Sequence, residues 1–243
     1  MALEIKPLEQ FKIEPLVPLH VGGIDASYTN SALVMTIAVA LAASLMILGA
    51  RKAALVPGRW QSIAEMSYEF IADMVETNAG HGGMRYFPFV FTLFMFVLFG
   101  NLLGLVPYSF TYTSHIVVTF ALAATIFIGV TLIGIVRHGW RFLSLFAPHG
   151  VPLVLLPLLI PIELLSYCIR PFTLSIRLFA NMLAGHTMLG VIAGLAASVP
   201  LFGIVPLGVD VLIYFLELIV ALLQAYVFTI LTCLYLHDAL HLH

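Results

Sequence analysis

The stretch Pro171-Phe-Thr-Leu-Ser-Ile-Arg177-Leu-Phe-Ala-Asn181-Met-Leu-Ala-Gly185-His186 decides how the chain is read. Most of its side chains suit hydrocarbon, yet Arg177 stands among them. An arginine at bilayer mid-depth costs roughly 2.5–3.5 kcal/mol on insertion scales, so an intramembrane cation marks a candidate functional site whose partner must be found. Outward from it, Val151 to about Ala197 forms a run of roughly 45 mostly apolar residues. As a helix this run would measure about 68 Å, over twice the hydrocarbon thickness. Pro152, Pro157, Pro161 and Pro171 crowd its first half. It therefore either breaks into two elements or bends and lies steeply tilted. A second run, Leu207 to Leu236, follows a turn around Ser198 to Gly203. The two runs, 151–197 and 207–236, are expected to form a long antiparallel hairpin.

The remainder agrees with a membrane setting. Of the chain's residues 62% are hydrophobic and 9% charged, and the mean hydropathy of +1.10 exceeds what a soluble domain of this length carries. Three ordinary spans fit, 31–50, 86–106 and 115–136. Between the first two, residues 59–78 set Trp60, Ile63, Phe70, Ile71, Met74 and Val75 on one side and Glu65, Glu69, Asp73 and Glu76 on the other. That pattern predicts an amphipathic helix at the interface or against a partner, its acids forming a polar face. The expected fold is an all-α membrane protein, a single domain over 1–243. It has about five membrane-embedded helices and one amphipathic interfacial helix, the last two long helices forming the tilted hairpin. Residues 1–28, rich in Pro and Gly and without a basic-then-apolar leader pattern, read as a mature surface segment with a short amphipathic turn.

Arg51, Lys52, Arg59 and Arg85 flank one loop, and Arg137 and Arg141 another, while the loop from Pro107 to Ser114 carries no charge. The arginine-bearing loops should face the cytoplasm or its equivalent. This puts the N-terminus outside and the C-terminus inside. A net charge of −2 without a basic block excludes nucleic acid as a partner. Cys168 and Cys233, far apart in apolar runs, read as small buried side chains, with no metal or redox motif.

The polar residues of the hairpin are Glu163, Arg170, Arg177, Asn181, His186, Asp210, Glu217 and Gln224; elsewhere in the apolar runs Asn101 and His115 are the main exceptions. A turn centred near residue 201 sets Arg177 level with Gln224 and His186 level with Glu217. Glu163, Arg170 and Arg177 recur every seven residues on nearly one face, with Asn181 one turn on. His186, nine residues past Arg177, faces the other way. Two polar patches result, resembling half-channels interrupted by a fixed cation, and their histidine and carboxyl groups suit proton relay. Blander readings stand beside these. Glu163 and Arg170 could form a cross-turn ion pair, Asp210 could end a helix at the interface, and Asn101 and Asn181 could tie helices together. His186 could be an ordinary packed histidine.

The segments Arg177-Leu-Phe-Ala-Asn181-Met-Leu-Ala-Gly185 and Glu217-Leu-Ile-Val-Ala-Leu-Leu-Gln224-Ala-Tyr-Val-Phe closely resemble subunit a of F-type ATP synthases. Tyr86-Phe-Pro-Phe-Val-Phe and Gly100-Asn-Leu-Leu-Gly-Leu-Val-Pro107 extend the likeness from about residue 85 onward. The resemblance implies a non-catalytic, proton-conducting stator beside a rotating ring of c subunits, with peripheral-stalk b subunits and the other subunits of the complex as partners and no cofactor or metal. It implies that Arg177 faces the ring carboxylate, with Asn181 and Gln224 as its polar neighbours, His186 and Glu217 on the outer proton path, and Glu163 bordering the inner one. Arg170, His115 and Asp210 are secondary candidates. Many bacterial members carry an acid at the position of His186 and a histidine at that of Glu217; the exchange seen here resembles the mitochondrial type and favours an alphaproteobacterial or mitochondrial origin. The implied location is a bacterial inner membrane, or alternatively the mitochondrial inner membrane.

Other classes fit the residues less well. Secondary transporters usually show internal repeats with matching broken helices, whereas here the polar residues crowd into the last two runs. A membrane haem protein needs a second deep axial ligand beside His186. An inert scaffold would leave Arg177 unexplained.

Overall fold

The computed structural model describes residues 12–18, 20–21, 24–25, 27–51, 54, 56–106, 109–140, 142, 155–198 and 203–241. Lys52, Pro107, Arg141, Pro152 and residues 199–202 of the expected hairpin turn lie outside the described residues, as do residues 1–11. The described part of the N-terminal segment holds two short antiparallel pairs in place of an amphipathic turn. β1 (Pro15–Val17) pairs with β4 (Tyr28–Thr29), and β2 (His20–Val21) with β3 (Ile24–Asp25).

Six α-helices follow among the described residues: α1 (Asn30–Ala50), α2 (Arg59–Ala79), α3 (Phe87–Gly104), α4 (Ile116–His138), α5 (Leu156–Ser198) and α6 (Ile204–Leu240). All but α2 are long and apolar enough to cross a membrane, α3 together with the 3₁₀ turn His81–Tyr86 that leads into it. Local chemistry sets several ends. Thr29 caps α1, its Oγ1 accepting from Ala32 N at 3.3 Å. Pro88 sits in the first turn of α3, where its missing N–H costs nothing. Gly80 and Gly139, at φ 71° and 56°, end α2 and α4 in a conformation that only glycine adopts freely.

The choice left open for the proline-rich run is settled. α5 is one continuous helix with Pro161 and Pro171 inside it. Each proline removes one backbone donor, but a long apolar flank on either side and packing against α4 and α6 hold the helix together. At about 1.5 Å per residue α5 is roughly 64 Å long and α6 roughly 55 Å, so neither fits upright in a hydrocarbon core of about 30 Å. A steep inclination is the consequence.

α6 occupies the centre, packing against α2, α3, α4 and α5, while α1 rests on α2 and α3. The core joins Ile71 and Val75 of α2, Val90 and Val97 of α3, Ile126 of α4, Leu174, Leu178 and Met182 of α5, and Phe228 and Leu236 of α6. The apolar side expected of α2 is divided. Ile71, Met74 and Val75 are buried against the bundle, whereas Trp60, Ile63 and Phe70 remain exposed. The acids lie on the exposed side. Large apolar side chains also cover the outer faces of α1, α4, α5 and α6, as a multi-pass membrane protein requires.

The loop between α3 and α4 folds back into the bundle instead of leaving it. Tyr112 is fully buried, and its hydroxyl donates to Phe96 O at 2.9 Å. Gly100 makes the space: a Cβ there would fall on the Tyr112 ring and hydroxyl. Burial pushes the Tyr112 phenol well above its ordinary range, so it remains a neutral donor. Gly100→Ala is therefore expected to cost about 1–3 kcal/mol through overpacking. Thermal unfolding in detergent checks this, and an unchanged midpoint would show that the loop is not held by this notch.

Candidate functional site

The α5–α6 hairpin brings its polar residues into register. Toward the end of α5 that precedes the turn, His186 Nδ1 meets Glu217 Oε1 of α6 in a very short contact. Both are buried, at 9% and 4% exposure. Glycine makes the approach possible, since a Cβ on Gly185 would lie 2.6 Å from Glu217 Oε1. The other imidazole nitrogen, Nε2, lies 2.7 Å from Thr111 Oγ1 in the α3–α4 loop. Glu217 Oε2 is buried without a hydrogen-bond partner among the described residues. A buried imidazole and carboxyl in direct contact can exchange a proton when their affinities are brought close.

About 13.5 Å along α5 from His186, Arg177 points away from the core and is exposed. It makes no ion pair or hydrogen bond with any other described residue. Asn181 lies one turn further on the same outward face, and its Nδ2 donates to Gln224 Oε1 at 2.8 Å. Gln224 is 4% exposed, and its Nε2 has no partner among the described residues. Gln224 thus meets Asn181 and not Arg177, one turn from the expected level. Behind this pair Asn101 of α3, fully buried, donates from Nδ2 to Ala221 O at 3.2 Å, tying α3 to α6 as helix glue. Arg177 is the cation of this region with no counter-charge inside the described chain. A compensating acid must come from outside it.

Nearer the start of α5 the arrangement differs from expectation. Arg170 does not pair with Glu163; its Nη1 donates to Asp238 Oδ2 of α6 at 2.8 Å. The guanidinium also lies over the rings of Tyr167 and Tyr235, 5.4 and 5.1 Å from their centroids. Tyr167 in turn shares a 2.7 Å hydrogen bond with Thr131 of α4. Arg170 therefore serves as the centre of a clamp joining α4, α5 and α6. The seven-residue spacing places Glu163 on the same side, half-buried, but Asp238 on the returning helix is the acid within reach. Asp210 is half-buried near the start of α6, with Oδ1 lacking a partner among the described residues. His115 occupies the N-cap position of α4, without a side-chain cap hydrogen bond, and stacks on Phe110 at 5.1 Å. Cys168 is exposed rather than buried, whereas Cys233 is buried as expected. The described residues contain no group of His, Cys, Asp and Glu able to hold a metal ion.

Two contacts escaped the sequence. A turn near residue 201 sets Arg170 level with about residue 232, six residues short of Asp238, so spacing alone does not reveal this pair. Thr111 lies in an uncharged loop, and only the pair Gly100 and Gly104, four residues apart before Thr111-Tyr112, signals that this loop packs closely on α3.

The chain matches the family described as ATP synthase A chain over residues 32–237. It is 57% identical over 244 residues to the ATP synthase subunit a of Parvibaculum lavamentivorans, covering 98% of this chain and 94% of that protein. The ATP synthase subunit a of Paramagnetospirillum magneticum is 56% identical over 244 residues, covering 98% of this chain and 99% of the relative. That of Rhodospirillum rubrum is 56% identical over 238 residues, with the same two shares of 98% and 99%.

If Arg170 is a clamp, Arg170→Gln and Asp238→Asn each lower thermal stability in detergent by about 1–2 kcal/mol, and the double substitution costs little more than either alone. Fully additive losses would contradict a direct pairing.

Proposed function

The chain belongs to the ATP synthase A chain family, and we propose that it is the membrane stator subunit through which protons pass to drive a rotary ATP synthase. One observation carries this reading: Arg177 is exposed on the outward face of α5, a helix long and apolar enough to span a membrane, with no counter-charge in the described chain. The Asn181–Gln224 pair beside it supplies a polar strip on which a passing carboxyl group would not be stranded. The partner that fits is a ring of c subunits, each presenting one membrane carboxyl. Peripheral-stalk b subunits and the remaining subunits of the complex complete the assembly.

In this mechanism a ring carboxylate arriving before Arg177 is attracted by the guanidinium, which favours its ionised form and so releases its proton to one side. The ring then turns and the next site is protonated from the other side. His186 and Glu217 form the outer half-channel, and Glu163 borders the inner one. Arg177 separates them, because a fixed cation repels a proton attempting to run straight through. An elementary charge crossing the full potential is worth about 2.3 kcal/mol per 100 mV, so several protons are summed for each ATP made. The chain performs no catalysis itself. An odd number of spans, five, and the arginines bordering α1, α2 and α4 support a topology with the N-terminal segment outside and the end of α6 in the cytoplasm.

A lysine would be a poor substitute for Arg177, since it can lose its proton when desolvated and lacks the planar fork. ATP-driven acidification of vesicles carrying Arg177→Ala or Arg177→Lys in the whole complex is expected to fall at least a hundredfold and about tenfold or more, respectively. The amount of assembled subunit is measured on the same membranes. An alanine variant that assembles and pumps near the wild-type rate would overturn the proposal.

A further inference from the structure

We propose that Thr111, in the loop between α3 and α4, is a positioning residue for proton transfer, its hydroxyl fixing the proton of neutral His186 on Nε2 so that Nδ1 turns a lone pair to Glu217. The inference rests on the function proposed above and adds a residue to it.

The hydroxyl occupies a narrow place. Thr111 is 2% exposed, and its Oγ1 donates to Gly104 O at 3.3 Å while lying 2.7 Å from His186 Nε2. Gly104 is the last residue of α3, so its carbonyl lies past the helix's own hydrogen-bond ladder, and Thr111 supplies it with a donor. A threonine hydroxyl has one hydrogen and two lone pairs. With that hydrogen given to Gly104 O, Oγ1 can only accept from His186, and the proton of the neutral imidazole must then sit on Nε2. Nδ1 is left with its lone pair facing Glu217 Oε1. It can take the carboxyl proton there, forming imidazolium and carboxylate, and return it by the same path. The opposite tautomer would put a proton on Nδ1 and a bare lone pair on Nε2. To satisfy that lone pair the hydroxyl would have to abandon the Gly104 carbonyl.

The loop is built to hold this position. Tyr112, the next residue, is locked in the Gly100 notch, and Ser114 Oγ donates to Thr111 O at 2.6 Å. A Cβ on Gly104 would lie 2.6 Å from Thr111 Cγ2 and 2.8 Å from Oγ1, so the threonine sits directly on the glycine surface. Thr111 thus has both a hydroxyl on His186 and a methyl packed on α3. The two can be removed separately.

The test is ATP-driven acidification by vesicles of the whole complex, with assembled subunit quantified on the same membranes. Thr111→Val keeps the shape and methyl packing but removes the hydroxyl; Thr111→Ser keeps the hydroxyl and removes the methyl. Positioning through the hydroxyl requires the valine variant to lose about tenfold in rate and the serine variant to stay within about threefold of wild type. A role in packing alone gives the reverse order and overturns the proposal, as does an equal loss in both or no loss in the valine variant. Should the valine variant not assemble, the serine variant decides: a retained rate supports the hydroxyl, and a large loss overturns it. In a His186→Ala background Thr111→Val should cause no further loss, because the hydroxyl acts through the imidazole; an independent loss there contradicts the assignment. If His186→Ala by itself pumps normally, the outer path proposed above fails and this inference falls with it. A lost His186→Ala rate with an unaffected Thr111→Val rate removes only the role of Thr111.

Discussion

A charge in hydrocarbon must be compensated, and that requirement organises the bundle. The chain meets it in three ways. Arg170 is neutralised internally, by Asp238 and two tyrosine rings. His186 and Glu217 meet each other in the interior. Arg177 alone of the three is turned outward on α5, where nothing in the described chain balances it. An acid on a neighbouring subunit is what the proposed ring would bring to it.

The long hairpin converts that requirement into geometry. Because α5 and α6 both exceed the bilayer thickness, they lie inclined and offer a long face instead of a short column. Polar groups spaced along the hairpin can address different depths: the His186–Glu217 pair toward one side, the Arg170–Asp238 clamp toward the other, and Arg177 between them. Small residues set the closest approaches. Gly185 admits the Glu217 carboxyl, while Gly100 and Gly104 admit the α3–α4 loop, so that a segment from outside the hairpin reaches His186.

Much of this was legible in the sequence because membrane constraints are strong. Apolar run length placed α1, α3 and α4 within a few residues, and the length of the run around Arg177 left either a break into two elements or a steep inclination. The antiparallel register, counted from a turn near residue 201, anticipated the meeting of His186 and Glu217. It erred by one turn at Gln224 because two helices crossing at an angle do not keep strict level. Same-helix spacing offers Glu163 as one possible partner for Arg170, whereas the acid in contact is a tertiary one, Asp238. Same-helix periodicity shows which residues share a face, not which acid on another helix reaches it. The continuity of α5 through Pro161 and Pro171 was undetermined, since proline weakens a helix locally while neighbouring helices decide whether it persists. Thr111 was invisible because a neutral loop residue acquires its meaning only from where the loop folds.

The central claim is that the outward face bearing Arg177 is covered, in the assembled complex, by a carboxyl-bearing ring. Disulfide cross-linking tests it most directly. Ala180→Cys lies exposed on that face, one turn from Arg177, and Val39→Cys lies exposed on α1; exposed Cys168 is first replaced by serine. With cysteines along the ring subunit's carboxyl-bearing helix, Ala180→Cys is expected to cross-link to positions around the carboxyl and Val39→Cys to none. Cross-linking from Val39→Cys with none from Ala180→Cys, in assembled complexes, would contradict the account.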